Sequence, residues 1–98
     1  MPTFERGPRL DREFRRLSPE LQQAFVAALR LFIDALRLRP PTFPPQLRVK
    51  RVRGATGVWE MTFAADGRAT FEYGSERTPG DPHVIWRRIG GHEILREP

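Results

Sequence analysis

The chain has 98 residues, no cysteine and a formal net charge of +5, with a sequence pI near 11.2. That length makes a single domain able to bury a modest core, and the lack of cysteine excludes disulfides, thiolate nucleophiles and thiolate metal sites. No run approaches the roughly 18 apolar residues of a membrane span, and the opening Met1-Pro2-Thr3-Phe4-Glu5-Arg6 lacks the apolar core of a signal peptide. A soluble, cytoplasmic protein is expected.

The charge is unevenly placed. Between Arg39 and Val58 lie Arg39, Arg48, Lys50, Arg51 and Arg53 with no acidic residue, whereas acids slightly outnumber bases after that. A local basic stripe on a small domain is the footprint of a polyanion or an acidic partner. A solvated surface strand is the ordinary alternative. The preference for arginine over lysine carries no functional weight, since codon bias produces the same effect.

In chain order, residues 1–9 read as an arm or a short edge strand. Leu10, Phe14 and Leu17 then fall at i, i+4 and i+7, one face of a short helix. Ser18-Pro19-Glu20 is a helix start: a capping hydroxyl, a proline suited to the first turn, and a carboxylate against the positive helix end. The spacing predicts a second helix over about Pro19–Leu38, with Leu21, Phe25, Ala28, Leu29, Phe32 and Leu36 on one stripe. Arg39-Pro40-Pro41 ends it, because a residue before proline is pushed out of helical geometry.

From Leu47 the period changes to two. Leu47, Val49 and Arg51 alternate with Arg48, Lys50 and Val52 in a first strand, and Gly54–Gly57 turns the chain. A second strand over Val58–Phe63 puts Trp59, Met61 and Phe63 on one face, with Glu60 and Thr62 on the other. Ala65-Asp66-Gly67 is a hairpin turn. The return strand from Arg68 to Tyr73 places Ala69, Phe71 and Tyr73 opposite Arg68, Thr70 and Glu72. After a Gly/Pro loop, His83–Ile89 is the last strand. Two helices followed by three or four strands give an α+β fold: the helices packed on one face of a small antiparallel sheet, with a short apolar tail at the end.

The polar face is where chemistry would lie. Glu60 is a carboxylate in mid-strand. It reads either as half of a cross-strand ion pair with Arg68 or as a general base. The Arg68 guanidinium, standing on a sheet face, suits a phosphate that gains charge during a displacement. In the last strand, Arg88 shares a face with Val84 and Trp86, and Arg87 with Ile85 and Ile89. Either choice buries something awkward, so a twist or bulge is expected near Trp86, with Arg88 on the open side. His92 follows Gly90-Gly91, which permit another backbone to approach closely, and an imidazole exchanges protons near neutrality. His83, beside Asp81-Pro82, reads as structural. Two histidines without cysteine or clustered carboxylates do not suit a metal site, and no phosphate-binding glycine loop is present.

The order helix, helix, basic strand, Gly57-Val58-Trp59-Glu60, Asp66-Gly67-Arg68, then Arg88-Ile89-Gly90-Gly91-His92 resembles the RelE/ParE superfamily of bacterial toxins, over roughly Leu10 to Leu95. The resemblance implies one toxin domain over 1–98, with 1–9 as an arm, and an endoribonuclease (mRNA interferase) that cuts mRNA on the ribosome. In that chemistry the ribose 2′-hydroxyl attacks the neighbouring phosphate, leaving a cyclic phosphate and a free 5′-hydroxyl. It further implies His92 as acid or base, Glu60 as base, and Arg68 and Arg88 as ligands of the scissile phosphate. Arg48, Lys50, Arg51, Arg53 and Arg87 would grip the RNA backbone. No metal or cofactor is implied. The implied partners are mRNA, the ribosome and a cognate antitoxin whose acidic segment covers the basic face, with the complex binding operator DNA. Relatives carry an aromatic residue after the histidine where this chain has Glu93-Ile94-Leu95-Arg96. Two other readings stand beside this one: a ParE-like inhibitor of DNA gyrase, and a non-catalytic basic module that binds RNA or protein.

Overall fold

The computed structural model describes residues 1–98. Strand β1 (Thr3–Arg6) is followed by helices α1 (Pro8–Arg16) and α2 (Pro19–Leu36), then β2 (Lys50–Arg51), β3 (Trp59–Ala64), β4 (Gly67–Gly74) and β5 (His83–Gly90). Single 3-10 turns occupy Pro45–Leu47 and His92–Arg96. The helices start where the prolines and caps dictate: Pro8 opens α1, and the Ser18 hydroxyl accepts the Leu21 N–H at 3.3 Å.

The sheet has five strands in the order β1-β5-β4-β3-β2, not three or four. The addition is β1, which pairs parallel to β5 with Thr3 opposite His83 and Arg6 opposite Trp86, so the sheet is mixed rather than purely antiparallel. Of the two readings of residues 1–9, an arm or a short edge strand, the edge strand is the one that forms, and its partner lies near the other end of the chain. His83 secures this edge. Its buried ring lies between the Thr3 hydroxyl (2.6 Å to Nδ1) and the Glu5 carboxylate (2.8 Å to Nε2).

The core lies between the helices and one sheet face. Phe25, Ala28, Phe32 and Leu36 of α2 meet Met61, Ala69, Phe71, Val84, Trp86 and Ile89 of the strands. Phe32 is its centre, with ring centroids 5.0 Å from both Phe71 and Trp86 and 4.9 Å from Phe43. Offset and edge-on aromatic contacts of this kind add to the area they bury. No helix is long and apolar enough to cross a membrane.

The first of the expected sheet strands is shorter than its alternation suggests. Leu47 belongs to a 3-10 turn, and Arg48 adopts a left-handed backbone (φ 46°) that redirects the chain, leaving Lys50 and Arg51 as the paired residues. Two irregularities shape the sheet toward the site. The β3–β4 register shifts between Thr62 and Ala64, and the β4–β5 register shifts between Thr70 and Phe71, opposite Arg88 and Trp86, so that Arg87 is the extra residue of a bulge.

Candidate active site

On the sheet face away from the helices, register places Lys50, Glu60, Thr70 and Arg88 in one row across four strands. The neighbouring row is Thr62, Arg68 and Gly90. The Glu60–Arg68 ion pair, one of the two readings of Glu60, is not formed. Those residues sit in different rows, some 7–8 Å apart on the diagonal in such a ladder. The Arg68 guanidinium instead curls over the β3–β4 turn, where Nη1 donates to the carbonyl oxygens of Gly67 (3.0 Å), Ala64 (3.2 Å) and Ala65 (3.4 Å). This leaves Nε and Nη2 for other acceptors. Glu60 is 5% exposed, between Lys50 and Thr70.

His92 comes to the same turn. Its backbone N–H donates to Asp66 Oδ1 at 2.9 Å, and the ring is exposed. The two preceding glycines allow this closeness. A Cβ on Gly91 would lie 2.8 Å from Asp66 Oδ2, and one on Gly90 would lie 2.8 Å from Ile94 Cγ2. Gly67 is fixed by the same crowding, since a Cβ there would lie 2.6 Å from the Phe63 ring. The β3–β4 turn thus holds Arg68 and the backbone of His92 at one end of the sheet, with Glu60 one row in.

The two adjacent arginines behave differently. Arg88 is turned to α1: Nη2 lies 2.6 Å and Nε 3.1 Å from Glu13 Oε2, and Nη1 donates to the Glu97 carbonyl at 3.1 Å. The Glu13 hydrogen bond and charge raise the Arg88 pKa above its ordinary value. Glu13 also receives the Ile89 N–H at 3.4 Å, on the stretch of β5 beyond the end of β1. Arg87, in the bulge, pairs with Glu72 at 3.2 Å and donates from Nε to the Pro98 main-chain oxygen at 3.0 Å. Both arginines line a cavity of about 580 Å³ together with Arg9, Val58, Glu72 and Ile85.

The basic stripe is split between the two faces of the sheet. Lys50 stands on the open face opposite Glu60, whereas Arg51 lies over the Trp59 ring at 5.3 Å, on the helix side of the edge. Arg48 and Arg53 are exposed on either side of this short strand. Sequence reasoning missed Glu13, Asp66 and Thr70 as positioning groups. Asp66 lay in a turn motif that was already recognised. Glu13 gave no signal, since an acidic residue among arginines on a helix is ordinary.

Two helices on one face of a mixed five-stranded sheet, with the opposite face open, give a RelE/YafQ-like toxin fold. YafQ from E. coli superposes with a TM-score of 0.69 at 10% identity, covering 97% of this chain and 98% of that one. A YoeB/ParE toxin from Agrobacterium tumefaciens gives 0.65 at 12% identity over 92% and 98%. The RelB–RelE antitoxin–toxin complex from Methanococcus jannaschii gives 0.64 at 10% identity over 97% and 95%. At these identities the likeness is one of fold. No protein-family model and no curated protein sequence matches the chain.

Proposed function

We propose that this chain is the toxin of a toxin–antitoxin pair and acts as an endoribonuclease on mRNA, by 2′-hydroxyl attack on the scissile phosphate. The observation that carries the reading is the convergence of Arg68 and His92 on the β3–β4 turn, one row from Glu60. In the proposed step a base takes the 2′-hydroxyl proton, the O2′–P bond forms, the P–O5′ bond breaks, and an acid protonates the leaving 5′-oxygen. Glu60 is assigned as base and His92 as acid. The free Nε and Nη2 of Arg68 face the charge that builds on the phosphoryl oxygens. Arg88 contributes to phosphate binding once it gives up part of its bond to Glu13, and Arg87 and the cations Arg48, Lys50, Arg51 and Arg53 hold the flanking backbone.

A cognate antitoxin is the proposed protein partner, its acidic segment complementary to the cations on the open face and the β2 edge. YafQ and RelE neighbours have been solved in antitoxin–toxin complexes, DinJ–YafQ and RelB–RelE. The test is induced expression in a bacterial host. Growth arrest with loss of full-length mRNA is expected, abolished by Arg68→Ala or His92→Ala and relieved by co-expressing the adjacent open reading frame. Arrest that persists in both variants, or DNA damage with intact mRNA, would refute the assignment.

A further inference from the structure

On the open face the chain's own closing segment sits in a cradle of donors. Thr70 Oγ1 donates to the Pro98 main-chain oxygen at 3.1 Å, Arg87 Nε donates to the same oxygen at 3.0 Å, and Arg88 Nη1 donates to the Glu97 carbonyl at 3.1 Å. This cradle is built into the sheet. Thr70 is 0% exposed, and its hydroxyl accepts the Arg88 backbone N–H at 3.1 Å, which aims its single hydrogen outward at Pro98. The bulge at Arg87 brings two consecutive guanidinium groups to the one cavity. The three groups that hold the segment's two oxygens are all donors, with the Glu72 carboxylate beside them on Arg87, so this part of the site is shaped for a ligand that accepts.

We propose that Thr70, Arg87 and Arg88 form a binding site for an RNA phosphodiester, and that Glu97–Pro98 occupies it in the free protein and competes with RNA. The proposal rests on the reading of the chain as an RNA-acting protein. The segment holds its place through three hydrogen bonds, and a phosphate that takes the same donors must displace it, so the segment lowers the ligand's apparent affinity. Departure of the segment also removes Glu97 from the cavity, leaving Arg9, Arg87 and Arg88 against Glu72, with Glu13 behind Arg88.

The test is equilibrium binding of a short fluorescent single-stranded RNA to the full chain and to a chain lacking Glu97 and Pro98, each with and without Thr70→Val. Deletion is expected to tighten binding about tenfold, by removing the competing closed state. Thr70→Val should abolish that gain and Thr70→Ser should keep it. Unchanged or weaker RNA binding in a deletion variant with unaltered thermal unfolding overturns the proposal, as does a gain for an acidic peptide but not for RNA. Should the deletion fail to fold, the Glu97 and Pro98 resonances of the full chain decide: they move to those of an undocked segment on RNA saturation if the proposal holds and stay if it does not. The readout is binding, so RNA bound in this way without cleavage refutes the nuclease reading alone. Cleavage without the gain refutes this proposal alone.

Discussion

Asp66, in the turn between β3 and β4, accepts the backbone N–H of His92 at 2.9 Å across 26 residues of sequence. This bond attaches the segment that follows β5 to the turn over which Arg68 is folded. It fixes where the imidazole starts from, although Asp66 does not touch the ring through that bond. Asp66→Ala should lower kcat about tenfold with little change in KM, the pattern of a lost orientation, and Asp66→Asn, which keeps an acceptor oxygen, should restore most of the rate. Equal losses in both variants would mean that the carboxylate charge acts directly.

The Arg88–Glu13 pair offers a trade between stability and binding. Neither side chain is more than about a fifth exposed (21% and 15%). Glu13→Gln should cost about 2 kcal/mol, as loss of a charge-assisted hydrogen bond does, while freeing Arg88 to bind RNA more tightly. Urea unfolding and RNA titration of the same variant check both halves. Weaker RNA binding in Glu13→Gln would place Arg88 outside the RNA contact.

The hydrogen bond from His83 holds the Glu5 carboxyl below its ordinary value of 4.5. A carboxyl depressed on folding adds stability above its unfolded pKa, and that stability is lost as pH falls through the folded value. The urea midpoint of the wild type should therefore drop as pH is lowered below 4.5. Glu5→Gln should be less stable above that pH and should lack this part of the acid slope. An unchanged slope would remove the β1–β5 pairing through His83 as its cause.

Phe32→Ala should destabilise the fold by about 3–5 kcal/mol, the cost of emptying a fully buried aromatic site. Calorimetry gives the value. A loss below about 1 kcal/mol would be that of a site that collapses freely, which the surrounding Phe43, Phe71 and Trp86 rings argue against.

The helices and the central hairpin were legible because their signals are local: the 3.6-residue stripe through Phe25 and Phe32, the Ser18 cap, and alternation on either side of Asp66-Gly67. The bulge was legible as a conflict, since neither face of β5 could take both arginines cleanly, and the register shift at Arg87 resolves it. What the sequence hid depends on distant pairing. β1 finds β5 across some 80 positions, and a register two residues off separates Glu60 from Arg68. Glu13 meets Arg88 because α1 runs past the end of β1 along the exposed part of β5. The folding of Glu97 and Pro98 onto Thr70 and Arg87 is likewise a tertiary event with no local pattern.

The central claim is tested most directly by incubating the purified chain with translating ribosomes and mapping mRNA ends by primer extension, beside Arg68→Ala and His92→Ala. The account predicts discrete new 5′-hydroxyl ends with the wild type, the upstream fragments carrying the cyclic phosphate, and at least about a hundredfold fewer with either variant, as loss of an acid–base or charge-stabilising group entails. Undiminished cleavage by both variants, or no cleavage by a folded wild type, would contradict it.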